Sequence, residues 1–195
     1  MVGLTIVIPA AGASSRMRGG DKLLELIAGQ ACLARQAGVA LATGVPVVVT
    51  LRPTDAARRA VLAGLNLTVL TVADAASGMA ASLRAAAAHA TGGMMILPAD
   101  MPDLDSADLR AVIDMADQNP GFIVRGASAA GVPGHPVILP ADLIAELAGL
   151  TGDQGARAIL TRHHDRILTT PLPGTHALTD LDTPEDWADW RSRRQ

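Results

Sequence analysis

Seven short apolar runs punctuate the chain: LTIVIP (4–9), VPVVVTL (45–51), LTVLTV (67–72), MMILPA (94–99), GFIVRG (121–126), HPVILP (135–140) and RILTT (166–170). Most are near-continuous blocks rich in Val and Ile and too short for a stable helix, the pattern of strands covered on both faces. Between most of them lie Ala/Leu/Arg segments with apolar residues at helical spacing, as in Leu109, Val112, Ile113 and Ala116 after the DSAD start. Strand and helix therefore alternate, which predicts a mainly parallel sheet with helices on both faces. The order changes after residue 120, where FIVRG and HPVIL are separated by ASAAGVPG with no helical pattern, so a hairpin or inserted antiparallel strand is expected there. The expected fold is a single α/β domain over 1–195, a three-layer, Rossmann-like arrangement with an antiparallel insertion.

Open α/β sheets place their ligands in the crevice at the carboxyl ends of the strands. The loops after the apolar runs are thus where chemistry is sought, beginning with PAAGASSRMRGGDK at 9–22. This loop is not G-x-G-x-x-G, because only Gly12 precedes Arg16, and it is not a P-loop, because GGDK lacks the Lys-Ser/Thr ending. A dehydrogenase or P-loop NTPase is disfavoured. Ala10, Ala11 and Gly12 are small enough for backbone to lie against a ligand, and Ser14, Ser15, Arg16, Arg18 and Lys22 follow. Backbone N–H groups and cations converging at a strand end make a polyphosphate cradle. Of the 16 basic residues only Lys22 is lysine, so an ammonium is kept here in an otherwise guanidinium surface. A guanidinium suits fixed phosphate oxygens, whereas a flexible ammonium can follow charge that moves during transfer. The alternative is a Gly/Ser turn carrying surface cations.

Composition narrows the field. The 195 residues are 49% hydrophobic and only 18% charged, which excludes a disordered chain. With a net charge of −3, no Tyr, one Phe and two Trp, the chain lacks the basic face and stacking aromatics of a nucleic-acid-binding protein. Cys32 is the sole cysteine, so no internal disulfide can form, and a reducing cytoplasmic setting is expected. Neither a signal-peptide pattern nor an apolar run of membrane-spanning length is present, and no membrane partner is expected. His89, His163, His164 and His176 lack metal-ligand spacing and are read as surface residues. Trp187 and Trp190, three apart on a helix started by DLDTPEDW, are read as core anchors. In that start Thr183 suits the cap, Pro184 the first turn, and Glu185 and Asp186 the positive end of the dipole.

PAAGASSRMRGGDKLL resembles the A-A-G-x-S-x-R-M…K signature of the nucleotidyltransferases that act on the molybdenum cofactor, especially the molybdenum cofactor cytidylyltransferases. GMAASL (78–83), LPADMP (97–102), GVPGHPVIL (131–139), GDQGAR (152–157) and DLDTPEDW (180–187) fall in that family's order, so the resemblance runs through the whole chain. It implies the fold of the nucleotide-diphospho-sugar transferases. By it Arg16, Lys22 and Asp100 are catalytic, while Ala10, Ala11, Gly12, Ser14 and Ser82 meet the nucleotide. Mg²⁺, commonly held by one or two carboxylates together with phosphate oxygens and water, is implied on Asp100 and Asp182, with Asp180 a weaker candidate. The residues themselves leave Asp100 open as a loop cap. Gly131, Gly134, His135, Asp153 and Arg157 are implied on the acceptor side, although Asp153 also suits a helix cap.

Members of this family that use CTP tend to carry Ala at the position of Ala11, and those that use GTP a second Gly; a Cβ there leaves room for a pyrimidine and crowds a purine. The implied reaction is transfer of CMP from Mg-CTP to the terminal phosphate of molybdenum-loaded molybdopterin, with release of pyrophosphate and transient contact with a recipient molybdoenzyme. Two alternatives stay open: a cytidylyltransferase or guanylyltransferase for another phosphorylated acceptor, and a non-catalytic cofactor maturation chaperone.

Overall fold

The computed structural model describes residues 3–152 and 155–194. In chain order the elements are β1 (Leu4–Pro9), β2 (Leu26–Ile27), β3 (Gln30–Ala31), α1 (Cys32–Leu41), β4 (Val47–Leu51), α2 (Ala56–Val61), β5 (Thr68–Thr71), α3 (Met79–Ala87), β6 (Gly93–Ile96), α4 (Ser106–Gln118), β7 (Ile123–Ala127), β8 (Pro133–Leu139), α5 (Arg157–Arg162), β9 (Ile167–Pro171) and α6 (Pro184–Ser192). A 3-10 helix covers Ala141–Gly149. Each of the seven apolar runs forms a strand within a few residues of its expected place. The run at 94–99 stops early, at Ile96, and its LPA remainder turns out into the loop that carries Asp100.

Seven strands form one sheet in the order β5-β4-β1-β6-β8-β7-β9, and β2 and β3 make a separate two-stranded ribbon. β1, β4, β5 and β6 pair in parallel, as do β7 and β9, whereas β8 runs antiparallel to both β6 and β7. The expected insertion is therefore the β7–β8 hairpin, turned at Gly131 with φ of +80°, a left-handed angle that glycine adopts without a Cβ penalty. Because β8 is reversed, its beginning lies at the sheet edge where the parallel strands end.

Strand alternation divides the core into two layers. Ile6, Ile8, Val49, Met95, Val124 and Ile138 pack with Leu33 and Ala37 of α1 and Leu109 and Val112 of α4. Val7, Val48, Ile96, Ile123 and Val137 pack on the other face with Ala80 and Leu83 of α3, Leu143 and Leu147 of the 3-10 helix, and Ile159 of α5. A third, smaller cluster of Met17, Cys32, Leu181, Trp187 and Trp190 fastens α6 beneath the loop after β1. The two tryptophans meet edge to face with ring centroids 5.9 Å apart, as core anchors.

Both long polar helix starts are capped. Asp105 accepts from Ala107 and Asp108 at the head of α4, and Thr183 with Asp186 forms a reciprocal capping box on α6. Asp105, not Asp100, takes the capping role before α4. Among the described residues no helix is long and apolar enough to cross a membrane.

Candidate active site

The loop after β1 is held from below by a residue the sequence pattern did not single out. Arg58 of α2 is 1% exposed and donates to the carbonyls of Ala10 (2.6 Å) and Gly12 (2.7 Å), to Ser14 Oγ (3.0 Å) and to both oxygens of Asp21 (2.7 and 2.8 Å). Ser14 in turn donates to Asp21 Oδ1 at 3.1 Å, and the Leu23 N–H does the same. Burial raises the Asp21 pKa, but the Arg58 hydrogen bonds and charge outweigh it and hold the carboxyl below its ordinary value. This scaffold holds Ser14 in the left-handed region with φ of 50°, as is Arg18 further along the loop, a conformation that costs a non-glycine residue about 1 kcal/mol or more. Ala10 and Ala11 are buried, Gly12 is exposed, and the Ser14 hydroxyl belongs to the scaffold.

Held in this shape, the loop delivers its single lysine to two acids distant in sequence. Lys22 Nζ hydrogen-bonds to Asp100 Oδ2, in the loop after β6, and to Asp182 Oδ1 at 2.6 Å; Arg16 pairs with Asp182 Oδ2 at 2.6 Å. The side chains of Lys22, Asp100 and Asp182 are 18, 15 and 17% exposed, so the cluster is largely shielded but water still reaches it. Burial opposes the lysine's charge, but the two carboxylates overcome it and raise its pKa.

The meeting is fixed by backbone as well as charge. Leu181 N–H donates to the Asp100 carbonyl at 3.0 Å, while Cys32 Sγ and Gln36 Nε2 of α1 hold the carbonyls of Ala99 (3.1 Å) and Met101 (2.8 Å). Thr183 takes the cap, which leaves Asp182 one residue outside α6 with its carboxylate turned to Lys22 and Arg16. Asp180, exposed at the same rim, has its pKa raised first by burial and then by the charges of Asp182 and Asp100.

The other expected residues distribute as follows. Ser82 is buried in α3, which covers the second face of the sheet. Gly134 lies where a Cβ would collide with the Ala177 carbonyl, so only glycine admits that close approach. His135, half-buried at the start of β8, donates its N–H to Ala177 O at 2.8 Å, and its Nδ1 is buried without a hydrogen-bond partner among the described residues. Burial, then the nearby charge of Arg125, lowers the His135 pKa, while Asp100 pulls the other way. Gly131 is on the exposed turn and Arg157 is exposed at the first residue of α5, whose cap position is Ala156. Asp153 lies outside the described residues. Of the four histidines read as surface residues, His163 pairs with Glu146 (2.7 Å) and His176 with buried Asp108 (2.8 Å).

Among the described residues no group of three or more His, Cys, Asp or Glu is arranged to hold a metal. Asp100 and Asp182 are two carboxylates converging on one cation, the donor set of a hard divalent ion that draws its other ligands from phosphate and water. The residues present fit such an ion.

A family model described as the MobA-like NTP transferase domain matches residues 6–167. No curated protein sequence matches. Among solved structures, Rv0371c from Mycobacterium tuberculosis H37Rv is 28% identical, covers 97% of this chain and 98% of its own, and superposes with a TM-score of 0.83. A second structure of that protein is a complex with manganese, with a TM-score of 0.79 over 96% of this chain and 97% of its own at 28% identity. A nucleotidyl transferase from Methanothermobacter shares the fold at 22% identity and a TM-score of 0.83, covering 99% of this chain and 98% of its own. So does CMP:2-keto-3-deoxy-manno-octonic acid synthetase complexed with CTP, at 16% identity and a TM-score of 0.78 over 98% of each chain. A mostly parallel seven-stranded sheet with one reversed strand, a small-residue loop after β1 and a family match spanning most of the chain come together in one conclusion: this protein belongs to the MobA-like NTP transferase domain family and is a nucleotidyltransferase.

Proposed function

We propose that the chain acts as a single nucleotidyltransferase domain that moves CMP from Mg-CTP to the terminal phosphate of molybdenum-loaded molybdopterin. The observation that carries the reading is the convergence of Lys22, Asp100 and Asp182 beside Arg16 at the carboxyl edge of the sheet. An acceptor phosphate oxygen attacks the α-phosphorus, the bond from that phosphorus to the bridging oxygen breaks, and pyrophosphate leaves with the electron pair. No protein nucleophile is required, so positioning and charge neutralisation carry the catalysis. Arg16 and Lys22 exchange their carboxylate partners for triphosphate oxygens, and Lys22 follows the charge that builds on the leaving pyrophosphate. Asp100 and Asp182 hold Mg²⁺, which when bound neutralises the triphosphate. Ala10, Ala11 and Gly12 shape the base site, with the Ala11 methyl favouring a pyrimidine.

The manganese complex of the mycobacterial relative and the CTP complex of the synthetase with this fold support the metal and the nucleotide respectively. The order of GMAASL, LPADMP, GVPGHPVIL and GDQGAR supports the acceptor, and the same resemblance assigns Gly131, Gly134, His135, Asp153 and Arg157 to its binding. The test is a matrix of nucleotide against acceptor with Mg²⁺, read as pyrophosphate release. CTP with molybdenum-loaded molybdopterin is expected to give the highest rate. A higher rate with a sugar or polyol phosphate overturns the acceptor, and no release with any pair, while cofactor still binds, points to a maturation chaperone.

A further inference from the structure

We propose that Arg125 is the anchor for the phosphate group of the acceptor, a role that rests on the nucleotidyl-transfer reading above. Because β8 runs opposite to its neighbours, residues 133–135 lie at the same sheet edge as the ends of β6 and β7. Arg125 stands directly opposite Val137 on β8, two residues from His135, and shares the face of the sheet covered by α3, the 3-10 helix and α5. Its Nε donates to the Gly134 carbonyl at 3.1 Å, which fixes the guanidinium next to the residue that precedes His135.

The electrostatics at this position are unbalanced. Lys22 and Arg16 are matched by Asp100 and Asp182, whereas among the described residues Arg125 has no carboxylate at ion-pairing distance. It is nonetheless half-buried, and burial alone depresses its pKa. A cation partly withdrawn from water with no counter-charge is an unfavourable arrangement that a phosphate dianion relieves, since guanidinium presents a planar pair of donors to phosphate oxygens. Beside it His135 Nδ1 is buried and unpartnered, a second polar atom without an internal role. The His135 charge is opposed by Arg125 and favoured by Asp100. The nucleotide cations, Arg16 and Lys22, and the acceptor cation, Arg125, are then separate groups, so that donor and acceptor can be held at once. The ligand class is a phosphomonoester dianion.

The experiment uses inorganic phosphate as the probe, followed by ³¹P NMR titration of the full chain with and without saturating Mg²⁺ and a non-hydrolysable CTP analogue. The unaltered protein is expected to bind phosphate with the analogue in place, and Arg125→Ala to weaken that binding about tenfold or more, the loss of one or two charged hydrogen bonds. Arg125→Lys keeps the charge and the stem, is the folded control if alanine destabilises the sheet, and is expected to retain part of the affinity. Affinity for the analogue should stay the same in all three proteins. Phosphate binding unchanged in Arg125→Ala, or absent from the unaltered protein in both conditions, overturns the assignment. Phosphate binding that depends on Arg125 in a protein that binds no CTP analogue leaves Arg125 as a phosphate site but overturns the nucleotide reading, and with it the acceptor role.

Discussion

Replacing Arg58 by methionine keeps the aliphatic stem in its slot and removes every hydrogen bond the guanidinium makes to the loop after β1. The guanidinium serves Ala10 O at 2.6 Å, Gly12 O at 2.7 Å, Ser14 Oγ at 3.0 Å and both Asp21 oxygens. Taking one partner from a buried ion pair costs about 3–5 kcal/mol. The Asp21 side chain is 26% exposed and can regain water, whereas the carbonyl of Ala10, in a residue 1% exposed, cannot easily do so. The lower end, about 3 kcal/mol, is therefore expected, a fall in Tm of roughly 6–12 °C for a domain of this size.

The loss has a pH signature. Asp21 has a depressed pKa in the fold, so its stabilisation is complete above the ordinary carboxylate value of about 4 and disappears as pH falls through the depressed one. The difference between the two proteins should accordingly shrink below about pH 4. Thermal melts by circular dichroism from pH 3 to pH 8, joined to steady-state kinetics, make the assay. Freed from Arg58, Ser14 relaxes from its left-handed angle, and KM for the nucleotide is expected to rise. Arg58→Lys restores charge without the fork and recovers part of both. A melting point within about 2 °C of the unaltered protein, with unchanged KM, would refute the idea that Arg58 holds the loop in shape.

Other outcomes follow from single groups. Ala11→Gly removes the methyl proposed to face the base and is expected to raise the ratio of GTP to CTP turnover; an unaltered ratio in competition assays would show that this Cβ does not read the base. Cys32 has its thiol pushed up to about 12, chiefly by burial and next by the charge of Asp100, so alkylation by iodoacetamide at pH 8 should be negligible in the native protein and rapid in guanidinium. Fast labelling of folded protein would contradict the tight packing of α1 against the Asp100 loop. Lys22 has a raised pKa, so its cluster contributes fully below the ordinary lysine value of about 10.4 and is lost as pH climbs through the raised one. In melts between pH 9 and 12, Lys22→Met should lack that alkaline loss, and an identical decline in both proteins would argue against the charged cluster.

The parts of the molecule visible in the sequence are those written in local pattern. Strands with both faces covered show as blocks of Val and Ile, and the missing helical period between FIVRG and HPVIL marks the β7–β8 hairpin. Thr183 and Pro184 announce α6 through cap chemistry that depends only on neighbours. Arg58 had no such signal. In AARRAV it stands beside Arg59, and only the pairing of β4 with β1 decides that one of the two is turned under the loop while the other is exposed. Asp21 was similarly hidden, a turn residue by composition whose partner is 37 positions away.

Arg125 interrupts the apolar FIVRG run, and although the pattern marks the β7–β8 hairpin, nothing local reveals that the guanidinium reaches the Gly134 carbonyl across it. Ser14 illustrates the converse. Its place in a loop of small residues suggested ligand contact, whereas its hydroxyl is engaged by Asp21 and Arg58. Local chemistry pointed to the loops in which function was sought, and long-range pairing decided which of their atoms remain available.

The central claim is that Asp100 and Asp182, now gripping Lys22, are the groups that receive a divalent ion together with the nucleotide. Manganese binding followed by electron paramagnetic resonance, as loss of the free-ion signal with CTP present, measures this directly. The unaltered protein should deplete the signal in one-to-one proportion, and the double variant Asp100→Asn with Asp182→Asn should leave it at the level of CTP alone. Depletion by the double variant equal to that of the unaltered protein would place the metal and its nucleotide elsewhere and contradict the account.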